Sequence, residues 1–476
     1  MSVPPRLLGL RTSLFTRFSL MLSFLPAMCP IGFGQASDGS LAAATVQNAG
    51  QIMTSRSPVD GTQVVNLAPS AVILDAGGGS PIGATSFANF NPSQNGNDNS
   101  QGNENGITIL PNKSTIDQLD TIATFSGAFV GQAGPDTDQD FRFTMAGNDP
   151  KLGNTTIFPG PILEVSWQLL HADGSVFTTV PFAPFETPFL NSPNFVGLNY
   201  RTGNSIEYED AVHRAQFFST MKSSWHSVIT PKVVDKITIQ VPFFVNVQLA
   251  GGTVVQARSY FTGTAADGRT FVLMLSPLFN LLFDNAVVNE INLGNFKTNA
   301  MNMSLFPNTF LFSLNQNNPN VPGGCCTLGF HTYFANFDGT FPQHRYITQY
   351  ASWISPGLFG AGFQDVTALT HELAESFGNP FVSNRTPNWQ FPGEPANAAV
   401  CQSNLEEGDP IEVLANATTS LKVTEGAFSF TYHPQNIPLW QWFEMGATSS
   451  AIDGAFSFPD ETVLPHSALP CPNGKG

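Results

Sequence analysis

Charged residues are scarce in this sequence. Of its 476 residues only 11% are Asp, Glu, Lys or Arg, against about 25% in typical soluble domains. The 19 basic residues are outnumbered by 35 acidic ones, which gives a formal net charge of −16. Proteins that bind nucleic acids do so through clusters of basic side chains. The sequence therefore predicts no nucleic-acid partner.

Long apolar runs are also missing. The longest run after the N-terminal region, residues 271–283, is too short to span a bilayer. At the N-terminus, three arginines within the first 17 residues precede an apolar segment that ends in Gly-Gln-Ala at Ala36. This arrangement predicts a secretory signal peptide over residues 1–36, with a membrane anchor as the alternative. We expect a secreted protein, periplasmic or extracellular, without membrane contact after signal cleavage.

Cysteine is rare, with five residues, of which Cys29 lies in the predicted signal peptide. The other four are Cys325, Cys326, Cys401 and Cys471. An even number in an oxidising compartment predicts disulfides. Because a bridge between neighbouring cysteines would close a strained ring, we expect the first two to pair with the last two, in either combination. A cysteine-type zinc site is the alternative, although the sequence has no CxxC pair.

Glycine and proline are plentiful, with 42 and 36 residues, and favour strands and loops over long helices. Residues 37–118 contain a tract rich in Asn, Gly, Ser and Gln, which predicts a flexible spacer. Residues 119–289 carry strand-like patterns and one predicted helix at 205–225, capped by Ser205. In residues 237–249 every odd position is apolar, which predicts a half-buried strand that opens an antiparallel meander.

Residues 290–476 carry the most suggestive motif, His371-Glu372-Leu373-Ala374-Glu375, a HExxE pattern. A helix is predicted here, with Asp365 as its N-cap and Gly378 followed by Pro380 as its stop signal. One helical turn separates His371 from Glu375, so both can bind one ion, while Glu372 lies where a general base would act. The pattern resembles the HExxH signature of zinc peptidases, with a glutamate in place of the second histidine. The alternative is an ordinary His–Glu pair on an exposed helix face.

Three segments carry a wider resemblance: CCTLGFHTYF at 325–334, THELAESFGNP at 370–380 and EEGD at 406–409. Together they resemble secreted proteins of the exordium-like, or phosphate-induced protein, group, over about a fifth of the chain. The resemblance implies a zincin-like helix followed by a loop that supplies acids. Glu406 is then the expected third metal ligand, and Asp409 binds instead or orients His371. His331 is a further ligand or a donor to a substrate carbonyl, with a structural strand histidine as the alternative.

These observations predict an α+β fold, in which an antiparallel β-rich region precedes a zincin-like helix-and-loop region and disulfides stabilise the whole. One imidazole and two carboxylates form a hard ligand set, so we expect Zn²⁺ with Mn²⁺ or Ca²⁺ as competitors. The predicted function is an exported metal-dependent hydrolase, similar to a zinc metallopeptidase, with Glu372 activating a water molecule bound to the metal. Its substrate would be a peptide or a cell-surface component. The alternative is a non-catalytic secreted protein of the cell surface or matrix, whose HExxE helix is structural or vestigial. The sequence does not predict an oligomeric state.

Overall fold

The computed structural model describes residues 122–466 with internal gaps, together with six short strands between residues 45 and 108. The gaps are residues 132–138, 201–204, 219, 249–252, 316, 337–344, 360–362, 393–400, 413, 415, 446–457 and 459–460. The predicted signal peptide and most of the predicted spacer lie outside the described residues.

The described chain is rich in strands and has few helices. The strands are β1 (Thr45–Gln47), β2 (Gln63–Val64), β3 (Val72–Ile73), β4 (Phe90–Pro92), β5 (Asn103–Glu104), β6 (Ile107–Thr108), β7 (Thr124–Val130), β8 (Asp140–Ala146), β9 (Thr155–Leu170), β10 (Val176–Val180), β11 (Leu198–Asn199), β12 (Ser205–Ile206), β13 (His226–Val241), β14 (Phe244–Gln248), β15 (Val254–Arg258), β16 (Tyr260–Thr264), β17 (Thr270–Leu275), β18 (Asn302–Phe306), β19 (Thr309–Leu314), β20 (Pro322–Thr327), β21 (Gly329–Asn336), β22 (Arg345–Ser352), β23 (Ile354–Phe359), β24 (Phe363–Asp365), β25 (Arg385–Gln390), β26 (Cys401–Asn404), β27 (Leu421–Glu425) and β28 (Phe428–Tyr432). The helices are α1 (Ala183–Leu190), α2 (Tyr208–Gln216), α3 (Ser276–Asn292), α4 (Thr367–Gly378) and α5 (Trp440–Phe443), with 3₁₀ turns at Asp409–Ile411 and Glu461–Val463.

An eight-stranded sheet forms the centre of the protein, in the order β2-β13-β9-β18-β22-β21-β4, with β10 paired to β9. Its middle strands β13, β9, β18 and β22 run parallel, whereas β21 and β4 run antiparallel at one edge. Strands from both sides of the predicted boundary at residue 290 therefore pair in one sheet.

The parallel centre corrects the prediction of an antiparallel β-rich region. Strand β13 follows β9 only after residues 171–225, which include α1 and α2. Parallel neighbours need such a long crossover, whereas antiparallel ones can be joined by a short turn. Antiparallel pairing is confirmed for the local hairpins β7–β8, β9–β10, β14–β15 and β16–β17.

Two further element predictions are corrected. The strand predicted over 237–249 divides into β13 and β14 at Pro242, which has no N–H group to donate to a sheet. The helix predicted over 205–225 is shorter, because Ser205 pairs within β12 and Glu207 occupies the N-cap position of α2.

Helices cover both faces of the central sheet. On one face, α3 packs in a core with Trp167, Phe306 and Tyr350. On the other face, α1 and α4 pack in a second core with Met303 and Ile347. Because successive side chains of a strand point to opposite faces, each middle strand contributes side chains to both cores. Among the described residues, no helix is both long and apolar enough to cross a membrane.

The predicted pairing of Cys325 and Cys326 with Cys401 and Cys471 stays a prediction. The structure places the sulfur atoms of the neighbours Cys325 and Cys326 together. Cys471 and the side chain of Cys401 lie outside the described part of the chain. A bridge between neighbours cross-links no distant segments, so stabilisation by long-range disulfides is not shown.

Candidate metal centre

Helix α4 carries the HExxE motif and is buried on every side. All twelve of its residues are buried, and it contacts β21, β22, β8 and α2. An apolar stripe made of Val366, Leu369, Leu373 and Phe377 lies in the core shared with the sheet. The opposite side, with His371 and Glu375, is equally enclosed, which excludes an exposed helix face.

The helix ends at Gly378, as predicted, but it begins differently. Val366 is the N-cap residue, and Asp365 has a φ of 48°, a left-handed backbone conformation that a helix N-cap does not adopt. The Asp365 carboxylate instead accepts hydrogen bonds from the backbone N–H groups of Val366 and His433, at 2.7 and 2.8 Å. The Asp365 carboxylate therefore links the N-cap residue of α4 to the segment that follows β28.

Two further segments bring polar side chains to α4. On β21, the side chains of His331 and Tyr333 point to the same face of the sheet, because residues two apart on a strand share a face. Tyr333 packs in the core beneath α4, whereas Phe334 packs on the opposite face with α3. The loop after β26 supplies Glu406 and Asp409, and the Gly408 N–H donates a hydrogen bond of 3.2 Å to Glu375 Oε1. A strand, a helix and a loop thus converge at one place.

We call the converging side chains the acid–imidazole cluster: His331, His371, Glu372, Glu375, Glu406 and Asp409. His371 Nε2 lies 2.9 Å from Glu375 Oε1 and 3.4 Å from Asp409 Oδ1. His331 Nδ1 lies 3.1 Å from Glu375 Oε2, 3.8 Å from Glu406 Oε2 and 3.9 Å from Glu372 Oε2. Each member is at most 3% exposed.

The structure brings together all six residues that the sequence singled out, in a different grouping. The sequence combined His371, Glu375 and Glu406 around one ion. Within the described chain, the sets of three whose ligand atoms all lie within 4.8 Å are His331–Glu375–Glu406 and His371–Glu372–Glu375. Glu375 belongs to both sets, and Glu372 lies among the possible ligands.

No protein-family model, curated protein or solved structure matches this chain. The resemblance to the exordium-like group stays a prediction.

The charges in the cluster are poorly balanced. Burial raises the pKa of Glu406 well above its ordinary value, and Glu375 and Asp409 add to that effect. Burial, helped by Glu375, likewise raises the pKa of Asp409 to about 7. For Glu375 burial acts in the same direction, but His371 and His331 outweigh it and lower the pKa to about 2. For His371, burial would lower the pKa, yet Glu375 and Glu372 raise it well above its ordinary value.

A divalent cation fits this arrangement. Both carboxylate oxygens of Glu372 and Glu406 Oε2 are buried without a hydrogen-bond partner among the described residues. Buried polar atoms without partners are costly, and a cation bound by carboxylates and imidazoles would satisfy them. Imidazole and carboxylate are ligands of Zn²⁺ and of Mn²⁺.

Gln435 is a site residue that the sequence reasoning missed. Its Nε2 donates a 2.7 Å hydrogen bond to the Gly408 carbonyl, so its Oε1 is the atom that faces His371 Nδ1, at 3.2 Å. That oxygen can only accept, so the proton of a neutral His371 ring lies on Nδ1. The lone pair of Nε2 then points towards Glu375 and Asp409, where a cation would lie.

Glu407 and Glu209 form a second acidic layer that was also missed. Both are buried, and Gln216 donates a 3.3 Å hydrogen bond to Glu407 Oε1. Burial raises the pKa of Glu209 well above its ordinary value, and Glu407 raises it further. Only the EEGD motif signalled Glu407 in the sequence.

Glycines make room for the cluster. A Cβ atom at Gly329 would overlap the Glu372 carboxylate, and one at Gly408 would overlap the His371 ring. Two other histidines of the described chain lie in ion pairs outside the cluster. His226 pairs with Asp210 at 2.6 Å, and His433 pairs with Asp365 at 2.7 Å.

Proposed function

We propose that this protein is an exported metal-dependent hydrolase of peptidase type, with the acid–imidazole cluster as its active site. The observation that carries the proposal is the convergence of two imidazoles and four carboxylates from three separate segments in the interior. Ordinary packing does not require such a concentration of ionisable groups, and burying them is costly unless a cation compensates them. The HExxE spacing supports the same proposal.

The ligands proposed for the cation include His371 and Glu375, which lie one helical turn apart on α4. Gln435 would orient His371, as outer partners of metal-binding histidines do. A divalent cation, Zn²⁺ or Mn²⁺, supplies a Lewis acid that polarises a carbonyl group and lowers the pKa of water. His331 is the alternative histidine ligand, because it forms the other close set of ligand atoms with Glu375 and Glu406.

Glu372 is the proposed general base. Burial raises its pKa well above the ordinary value, against the opposing charge of His371, and Glu375 and Asp409 raise it further. A carboxyl group whose pKa is raised can take a proton from water and pass it to a leaving amine near neutral pH. Glu372 lies within the same set of close ligand atoms as His371 and Glu375, so the proton transfer would occur beside the cation.

The burial of the cluster favours a second candidate function. Catalytic metal sites keep a position open to substrate, whereas structural sites are closed. With every member at most 3% exposed, the cluster also suits a structural cation in a non-catalytic secreted protein.

Metal analysis of the full chain tests the proposal. We expect the purified protein to contain a divalent metal, His371→Ala to lose it, and His171→Ala, a change at an exposed histidine, to retain it. A wild-type protein without metal, or equal metal in the wild type and His371→Ala, would reject the metal site.

Hydrolysis is tested separately with a fluorogenic peptide library. Glu372→Gln should keep the metal and slow hydrolysis by about 10²- to 10⁴-fold, the usual contribution of a general base. Unchanged hydrolysis would remove Glu372 from the mechanism. Metal-loaded protein without hydrolysis, but with a lower Tm after chelation, would support the structural alternative.

A further inference from the structure

We infer that the acid–imidazole cluster binds two divalent cations that share the Glu375 carboxylate as a bridge. The inference rests on the proposed metal site and adds the number of ions and the ligands of each. His371 Nε2 and Glu375 Oε1 would hold one ion. His331 Nδ1, Glu375 Oε2 and Glu406 Oε2 would hold the other.

The contacts of Glu375 carry the argument. Its two carboxylate oxygens face different histidines, Oε1 at 2.9 Å from His371 Nε2 and Oε2 at 3.1 Å from His331 Nδ1. Two ligand atoms bound to one ion at about 2.1 Å lie about 3.0 to 3.4 Å apart for octahedral or tetrahedral angles. Both pairs are thus spaced as neighbouring ligands of a metal, one pair on each side of the carboxylate.

One ion would not engage both histidines. The sets of three close ligand atoms in the described residues contain one histidine each. Ligands of a single ion, even on opposite sides of it, lie no more than about 4.4 Å apart at ordinary bond lengths. Two ions on either side of Glu375 would engage the histidine of each set.

The charge of the cluster agrees with two ions. Its four carboxylates, those of Glu372, Glu375, Glu406 and Asp409, carry a formal charge of −4 when ionised. Their ion pairs among the described residues involve only His331 and His371. Two divalent cations supply +4, which balances the four ionised carboxylates and leaves neutral imidazoles as ligands.

The surroundings hold Glu375 in a bridging position. The Gly408 N–H donates to its Oε1, which fixes the rotation of the carboxylate between β21 and the 406–409 loop. Paired metal ions about 3.5 to 4 Å apart can stabilise both the attacking and the leaving oxygen of a substrate. Such a pair gives His331 and Glu406 a direct role in the centre.

Metal stoichiometry of the full chain tests this inference, with Zn²⁺ or Mn²⁺ added alone to metal-free protein. We expect two ions per chain in the wild type and one in either His331→Gln or His371→Gln. Glu375→Gln, which keeps the size of the side chain but removes its charge, should weaken both sites. His213→Leu is the matched control, because His213 is buried outside the cluster, and it should keep two ions.

Electron paramagnetic resonance of the Mn²⁺-loaded wild type gives a readout that needs no variant to fold. Two Mn²⁺ ions that share a carboxylate should show a spin-coupled spectrum in place of the six-line signal of isolated ions. One ion per chain, or two uncoupled ions, would overturn the two-ion inference and leave the proposed metal site standing. No bound ion would overturn both.

Discussion

At the scale of single residues, Gln435 decides which nitrogen of His371 can bind a cation. Its amide is fixed by the Gly408 carbonyl at 2.7 Å, so its oxygen must receive the His371 Nδ1–H. The residue lies 64 positions beyond His371 and yet controls its tautomer.

The first residue-scale prediction concerns this contact. We expect Gln435→Leu to lower the affinity for the added metal by about 10- to 100-fold, because the ring loses the partner that orients it. Isothermal titration with Zn²⁺ would measure the change. Gln240→Leu, which alters a glutamine paired with Gln168 outside the cluster, is the matched control and should bind as the wild type does. Equal affinities in the two variants would contradict the orienting role.

The sequence revealed the cluster only in part at this scale. His371 and Glu375 could be recognised because a helix puts residues four apart on one side. Gln435 and Gly408 could not, since their roles depend on a loop that reaches α4 from elsewhere in the chain. The grouping around Glu375 likewise depends on which position of β21 lies opposite Glu375. The sequence spacing between His331 and Glu375 does not predict that position.

At the scale of elements, helix α4 is the part on which the cluster depends most. It lies between the sheet and α2, and its apolar stripe packs in the core beneath it. A change in that packing would move His371 and Glu375 together.

The element-scale prediction follows from this packing. We expect Leu373→Ala to lower the free energy of unfolding by about 2 to 5 kcal/mol, the usual range for a buried leucine replaced by alanine. Denaturant titration would measure the loss. Leu152→Ala provides the control, because Leu152 is 61% exposed, and it should change stability by less than about 0.5 kcal/mol. A similar decrease in the free energy of unfolding in both variants would show that the apolar stripe of α4 does not stabilise its packing in the core.

Helix ends and strand pairings differ in how well local sequence predicts them. Gly378 and Pro380 ended α4 as expected, because these residues act through local backbone geometry. The start of α4 was misjudged, since Asp365 is engaged by the distant His433. Alternating apolar residues identify a strand but not its partner, so the parallel pairing of β9 and β13 was not foreseen.

At the scale of the whole molecule, stability should depend on pH through a histidine outside the cluster. His213 is buried against Trp225 and Phe377, and neither ring nitrogen has a hydrogen-bond partner among the described residues. Burial lowers its pKa from 6.5 to about 3. The unfolded chain therefore binds a proton between these pH values that the folded protein does not.

The whole-molecule prediction has a definite sign. As the pH falls from 6.5 towards 3, His213 should cost the folded protein about 1.4 kcal/mol of unfolding free energy per pH unit. We expect His213→Leu to reduce this loss, measured by denaturant titration at several pH values. His171→Gln, at an exposed histidine, should keep the pH dependence of the wild type. An unchanged slope in His213→Leu would contradict the assignment.

The central sheet explains why the sequence could not predict the overall architecture. Strands β9 and β18 are neighbours in the sheet, although more than a hundred residues separate them in the chain. Local patterns indicated strands within residues 119–289 but not their order, because the order is decided by which apolar faces meet across the two cores.

The enclosure of the acid–imidazole cluster also has a kinetic consequence. With helix, strand and loop closed around these side chains, an ion or a water molecule can enter or leave only while those segments have moved apart. The lifetime of a bound ion would then follow the frequency of such openings and not its affinity alone. A cation captured as the chain folds would be retained for as long as the surrounding elements stay together.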